Sequence, residues 1–269
     1  MIGPVTDPTI GVTFRPQSPP EELREVARSA EAAGIAQLWL WEDCFCEGGL
    51  SAATAALACT ERLHVAVGLL PVPLRNPALA AMEIATVARM FPGRFHPGLG
   101  HGVLEWMEQV GARVPSPMTL LREYTTAVRD LLHGRTVDVE GRYVRLRDVA
   151  LDWPPASPPP LLVGGRGPKT VGLAGEVADG VILDSVLSLD QVREGVAIAA
   201  AASRAAGRAD EPFDTVVFVE VDAAAPDVAA RIDESVATLA GIGAGTVVFQ
   251  PTGEAPDPLP LIAACAKRG

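Results

Sequence analysis

The sequence predicts a (β/α)8 TIM barrel, α/β in class, forming a single domain over residues 1–269. Three observations predict it. Short apolar runs alternate with helical patterns around the chain, and an eight-fold alternation is a barrel count. The runs are continuous rather than alternating, as strands of a parallel sheet buried on both faces should be. The length of 269 residues is unusual for one ordinary domain and normal for one barrel.

The first strand is read at residues 10–14. Ser18-Pro19-Pro20-Glu21 follows it as a capping box with proline at the first helical position. Leu23, Val26, Ala27, Ala30 and Ala33 then share one helical face, and Gly34 is the stop. The second strand is residues 36–41 and the third 63–70, after which Asn76-Pro77 opens a helix. The fourth strand is 94–100. A longer helix begins near Ser116-Pro117 or Thr119, buries Leu121, Tyr124, Val128 and Leu131 or Leu132, and ends at Gly134.

Residues 135–149 break the rhythm. Val137, Val139, Tyr143 and Val144 around Glu140-Gly141 predict a surface hairpin, and with the proline-rich stretch behind it they form a small insertion at about 135–158. The fifth strand is 161–163, the sixth 180–183, the seventh 215–221 and the eighth 246–249. Ser188 and Pro226-Asp227 open two of the later helices. An open doubly wound sheet is the competing arrangement. Its dinucleotide fingerprint should follow the first strand, yet residues 15–20 contain no glycine.

Composition narrows the function. A hydrophobic content of 48% supplies a core, and no apolar run reaches the length of a membrane span. Residues 1–8 lack the basic and apolar regions of a leader, so a cytoplasmic location is expected. The formal charge of −11 disfavours nucleic acid, which rewards a basic face. Cys44, Cys46, Cys59 and Cys265 form no CxxC pair; reduced thiols are expected, and no metal.

In a barrel the chemistry sits at the C-terminal ends of the strands. Glu42 and Asp43 follow the second strand directly, either as groups facing the barrel mouth or as ordinary loop acids. The stretch from Gly68 to Pro73 is apolar where loops are usually polar; either a flat apolar ligand covers it or it packs under a helix. Gly98, Gly100 and Gly102 bring backbone close to a ligand or to a neighbouring strand. His101, between two of them, is the histidine placed for proton transfer, whereas His64 and His96 fall inside strands and His133 ends a helix. Trp106 either walls a substrate pocket or anchors its own helix.

The stretch Gly164-Gly165-Arg166-Gly167-Pro168-Lys169 is a glycine-rich turn leading into a helix. Free N–H groups at that helix start, beside Arg166 and Lys169, make a phosphate cradle. A plain tight turn is the alternative. The spacing is not that of a nucleoside-triphosphate loop, which disfavours ATP and GTP.

Taken in order, several of these runs resemble the luciferase-like monooxygenase superfamily. They are Leu38-Trp39-Leu40-Trp41-Glu42-Asp43, then Gly68 through Arg75-Asn76-Pro77, then Gly93-Arg94-Phe95 with Gly98-Leu99-Gly100-His101-Gly102. Pro160 to Lys169, Leu173-Ala174 and Ala178-Asp179-Gly180-Val181 complete the set. The resemblance covers about residues 10–185, and the acid pair in Trp41-Glu42-Asp43-Cys44 is closer to the F420-dependent oxidoreductase branch than to luciferase.

The resemblance implies a barrel carrying coenzyme F420, or alternatively FMN, across its strand ends. It implies that Gly165, Arg166, Gly167, Pro168 and Lys169 hold the cofactor phosphate. It further implies that Gly68 and Leu69 carry a non-proline cis peptide against the ring, and that Glu42 lies near the ring. His101 or Asp43 would then exchange the proton that accompanies hydride transfer to or from a small organic substrate. An FMN monooxygenase would need O2 and a reductase partner. A non-catalytic flavin-binding protein and a phosphosugar-handling barrel are the remaining readings, and a homodimer is a family expectation.

Overall fold

The computed structural model describes residues 5–253 and 257–266, so half of the leader reading at 1–8 lies outside the described residues. Its strands and helices run β1 (Thr9–Phe14), α1 (Leu23–Ala32), β2 (Gln37–Leu40), α2 (Gly49–Ala58), β3 (His64–Pro71), α3 (Pro77–Met90), β4 (Phe95–Gly100), α4 (Leu104–Gln109) and α5 (Pro117–Leu132). There follow β5 (Val137–Glu140), β6 (Arg145–Val149), β7 (Leu162–Gly164), α6 (Pro168–Val177), β8 (Gly180–Leu183), α7 (Leu189–Ala205), β9 (Asp214–Val221), α8 (Val228–Gly241), β10 (Thr246–Pro251) and α9 (Leu259–Cys265). Eight strands close into a barrel in the order β1-β10-β9-β8-β7-β4-β3-β2. The closing pair β1–β10 is parallel, with Thr9 opposite Thr246. No described helix is long and apolar enough to cross a membrane.

Side chains alternate across each strand, and two cores result. Leu38, Leu40, Val65, Val67, Val181, Leu183, Val217 and Val247 face outward and pack against the helices in the larger one. Trp39, Ala66, Leu162, Ile182, Val216, Phe218 and Val248 fill the barrel interior. Trp39 is 1% exposed and meets Phe218 edge-on at 5.3 Å between centroids, although β2 and β9 are not neighbours. It therefore spans the lumen. Gly11 and Gly68 make room for it, since a Cβ at either would come within 3 Å of the indole.

Local signals decide several boundaries. The Asn76 side chain accepts from Ala78 N–H at 2.9 Å and starts α3. Ser188 and Gln191 form a reciprocal capping box on α7. The box expected at Ser18–Glu21 does not cap α1. A 3-10 turn at Pro20–Glu22 intervenes, and the caps of turn and helix, Pro19 and Glu22, make no side-chain cap bond. Proline rings fix the chain in a tight turn there before the helix proper begins.

The predicted hairpin is β5–β6, antiparallel. Its turn is held by Glu123 of α5, whose carboxylate accepts the N–H groups of Arg142, Tyr143 and Val144 at 2.8–3.0 Å. Those bonds hold its carboxyl below the usual carboxylate range against the desolvation that opposes them.

Candidate active site

The C-terminal strand ends form one rim, and the acid pair after β2 divides there. Glu42 is 7% exposed. Its carboxylate accepts the Gly49 N–H at the start of α2 at 2.8 Å and both terminal nitrogens of Arg75, one of them at 2.7 Å. Arg75 is also 3.4 Å from Glu83. Although burial opposes its charge, the bonds and field of Glu42 raise the Arg75 pKa. The geometry at Glu42 is that of a buried clamp tying β2 to α2 and to the chain before α3. It fits neither a free acid at the mouth nor a solvated loop acid.

Asp43 is half-buried. Desolvation raises its pKa, and the positive charge of Arg15 partly offsets this. Arg15 itself lies 5.3 Å over the Trp41 ring and donates to the carbonyl of Gly253 at 3.0 Å. Trp41 in turn lies 6.3 Å from Phe218. An aromatic face capped by a cation thus lines the β1, β2 and β9 side of the rim.

On the opposite side the Gly68–Leu69 peptide is cis, as the resemblance implied, and so is Cys44–Phe45. Leu70 and Val72 are each 2% exposed and pack into the outer core, which accounts for most of the apolar run after β3. Leu69 packs instead against the ends of β4 and β7. A Cβ at Gly100 would sit 2.3 Å from its side chain, and one at Gly164 2.6 Å. The glycines at the ends of β4 and β7 therefore admit the Leu69 side chain, and Gly98 likewise admits Ile182.

His101 follows β4. Its Nε2 lies 3.2 Å from Thr170 Oγ1, in the first turn of α6, and that hydroxyl donates onward to Met118 Sδ at 3.4 Å. The tautomer sets the roles: Nε2–H donates to the hydroxyl when Nδ1 carries the lone pair, and Nε2 accepts from it when Nδ1 carries the proton. Nδ1 is buried without a hydrogen-bond partner. Desolvation lowers the His101 pKa, so the ring is neutral at pH 7. Trp106 lies half-buried in α4, where Met107 is the residue that packs fully inward.

At the start of α6 the N–H groups of Arg166, Gly167 and Lys169 donate to no backbone carbonyl among the described residues. A Cβ on Gly167 would meet nothing within 4 Å, so the turn is open outward; at Gly165 it would strike Thr170 at 2.4 Å. Lys169 is exposed. Arg166 is not free, since it forms two hydrogen bonds with Asp184 beyond β8, at 2.5 and 2.8 Å. Asp184 and Arg15 are rim residues that strand-end reading passed over. So is Glu47, whose carboxyl oxygens are both buried without partners and whose pKa burial raises.

With this geometry in hand, comparison with known proteins is specific. The family model for luciferase-like monooxygenase matches residues 2–257. The chain belongs to the luciferase-like monooxygenase family. Among its relatives, 5,10-methylenetetrahydromethanopterin reductase of Methanolobus tindarius is 28% identical over 228 residues, covering 83% of this chain and 69% of the relative. F420-dependent glucose-6-phosphate dehydrogenase of Nakamurella multipartita is 29% identical over 230 residues, covering 75% and 63%. The chain thus spans about two thirds of the length of these curated relatives. An F420-dependent secondary alcohol dehydrogenase, solved with an F420-acetone adduct, superposes with a TM-score of 0.86 at 18% identity over 97% of this chain and 98% of that one. The monooxygenase RslO1 from Streptomyces bottropensis superposes with a TM-score of 0.76 at 19% identity, covering 96% of each. At those identities the two structures speak for the fold, and they agree with the barrel.

Proposed function

We propose that this protein is an F420-dependent oxidoreductase that moves a hydride between the deazaflavin and a small organic substrate. The observation that carries the reading is the coincidence, on one rim, of an outward-open helix start with a leucine nested in glycines beside it. Relatives named for F420 and sharing 28–31% identity over most of this chain point the same way. The residues fit such a group. Gly165 to Lys169 offer unpaired N–H donors and one free ammonium to a phosphate, and Leu69 offers an apolar surface to a flat ring.

When bound, the deazaflavin supplies hydride acceptance and donation. The chain supplies the rest. Lys169 and the N–H groups of Gly167 and Lys169 hold the phosphate, joined by Arg166 once it leaves Asp184. His101 takes up or returns the substrate proton at Nδ1, in the tautomer whose Nε2–H donates to Thr170. Asp43, with its raised pKa, is the second group that can hold a proton. Glu42 acts on the site through Arg75 and Gly49, holding the β2 end in place. Trp106 is assigned to the outer wall of the substrate pocket. One domain spans residues 1–269, works in the cytoplasm, and pairs as a homodimer.

An FMN-dependent monooxygenase is the second reading, favoured by the family's description and by the RslO1 likeness. The test is titration of the apoprotein with F420 and with FMN, followed by fluorescence. F420 binding weakened about ten-fold or more by Lys169→Ala or Gly167→Val is expected. Preference for FMN would move the protein to the second reading, and binding of neither would overturn both. Binding without any redox turnover would leave a non-catalytic flavin-binding protein. For His101→Gln, kcat should fall roughly 10²–10⁴-fold, with loss of the acid limb of the pH profile.

A further inference from the structure

The loops of the rim expose large apolar side chains beside the residues of the proposed reaction. Phe45 is 67% exposed two residues beyond Asp43, and Val186 is 65% exposed two residues beyond Asp184. Val103 and Leu104 are exposed just beyond His101. These loops follow β2, β8 and β4, strands spread around the barrel. Within the mouth, Trp41 packs half-buried on the lumen cluster beside Phe218. Two polar groups of the inner wall are neutral. Thr13 and Gln250 follow Gly11 and Val248 by two places and so share their inward face. The Thr13 hydroxyl is buried with no partner, and the Gln250 amide donates to Ser185 Oγ at 3.2 Å.

The charges of the rim are distributed against an anion. Arg75 is held by Glu42 and Arg166 by Asp184. Arg15 is held by Gln17 and by the carbonyls of Pro251 and Gly253. Lys169 remains, and the cofactor phosphate proposed above takes it. Asp43 and Glu220, by contrast, join no salt bridge among the described residues. Glu220 follows Phe218 by two places on β9 and shares its inward face.

We infer that the substrate is a neutral, largely apolar molecule with one small polar group, and that Trp41, Phe45 and Val186 select it over phosphorylated or carboxylated compounds. The inference rests on the reading of this rim as the hydride-transfer site. An anion would leave water to meet Asp43 and Glu220, with no free cation to offset the loss of its hydration. A hydrocarbon chain gains instead with each methylene it buries, and its polar group needs only the uncharged Thr13 hydroxyl and Gln250 amide.

The test is calorimetric titration of the F420-loaded chain with methyl ketones of increasing length, and with octanoate and glucose 6-phosphate as anionic comparators. Kd should fall about two- to four-fold for each added methylene. Both anions should bind at least about ten-fold more weakly than the ketone of octanoate's length. Phe45→Ser and Val186→Ser, at exposed positions that the fold tolerates, should flatten the dependence on length. An anion that binds as tightly as the ketone, a Kd independent of length, no ketone binding at millimolar concentration, or an undiminished dependence in both variants overturns the proposal. Its failure is separable from that of the cofactor reading. F420 bound with ketones rejected sinks the substrate class alone. Ketones that keep their length dependence on a chain that takes no F420 support the apolar site and overturn the cofactor assignment.

Discussion

Replacing Glu42 by glutamine separates a structural role from a cofactor-binding one. The carboxylate receives a paired contact from Arg75 and the Gly49 N–H, and the side chains of the pair are 7% and 20% exposed. Removing one member of a buried ion pair costs about 3–5 kcal/mol, because the survivor keeps its desolvation penalty. Glutamine retains the volume and one acceptor, and Glu83 still lies 3.4 Å from Arg75. The loss should therefore fall near the lower end, about 3 kcal/mol. For a chain of this size that corresponds to a fall of roughly 6–12 °C in Tm. Urea unfolding followed by far-UV circular dichroism measures it, read as a lower midpoint at unchanged slope. A loss below about 1 kcal/mol, or an F420 affinity that collapses while stability holds, would refute the clamp and return Glu42 to the cofactor.

Two further outcomes are expected. Gly100→Ala places a methyl 2.3 Å from the Leu69 side chain and should destabilise by about 1–3 kcal/mol. Adding Leu69→Ala should recover part of that loss in a double-mutant cycle, and strict additivity would show that the two do not meet. Asp214 is half-buried, and desolvation raises its pKa despite bonds from Thr246 and the Thr215 backbone. The folded state thus holds this proton more tightly than the unfolded one. Its contribution is fully present below the unfolded pKa and is lost as pH rises through the folded value. The stability of Asp214→Asn relative to the unmodified chain should therefore climb as pH rises above the ordinary aspartate range in urea titrations at graded pH, whereas a flat difference would refute the desolvation argument.

The parts of this fold legible in sequence are those written locally. The strand at 180–183 is a continuous apolar run and was delimited to the residue. Asn76 and Ser188 cap through bonds to residues two and three places on. Gly34 and Gly134 stop their helices with φ near +75°. The short helix α2 left little trace, because its residues are nearly all small and apolar and show almost no amphipathic period. The site divides along the same line. The helix start at Gly165–Lys169 is contiguous and was read. The engagement of Glu42 depends on Arg75, 33 positions away, and that of Arg166 on Asp184, 18 away. The alternate glycines imply a close approach but not its object, since Leu69 reaches Gly100 and Ile182 reaches Gly98 from other strands.

Trp39 has a consequence for the molecule as a whole. Its indole, with Phe218 and Ile182 beside it, closes the lumen, so the barrel is a stoppered tube rather than a conduit. Water, protons and small ions at the base have no interior path to the rim. The two ends are chemically insulated compartments joined by the backbones of β3 and β4, which carry His64 and His96 at one end and Leu69 and His101 at the other. The residues at the base are thereby free to change their hydration and protonation without exchanging water or protons with the rim through the barrel.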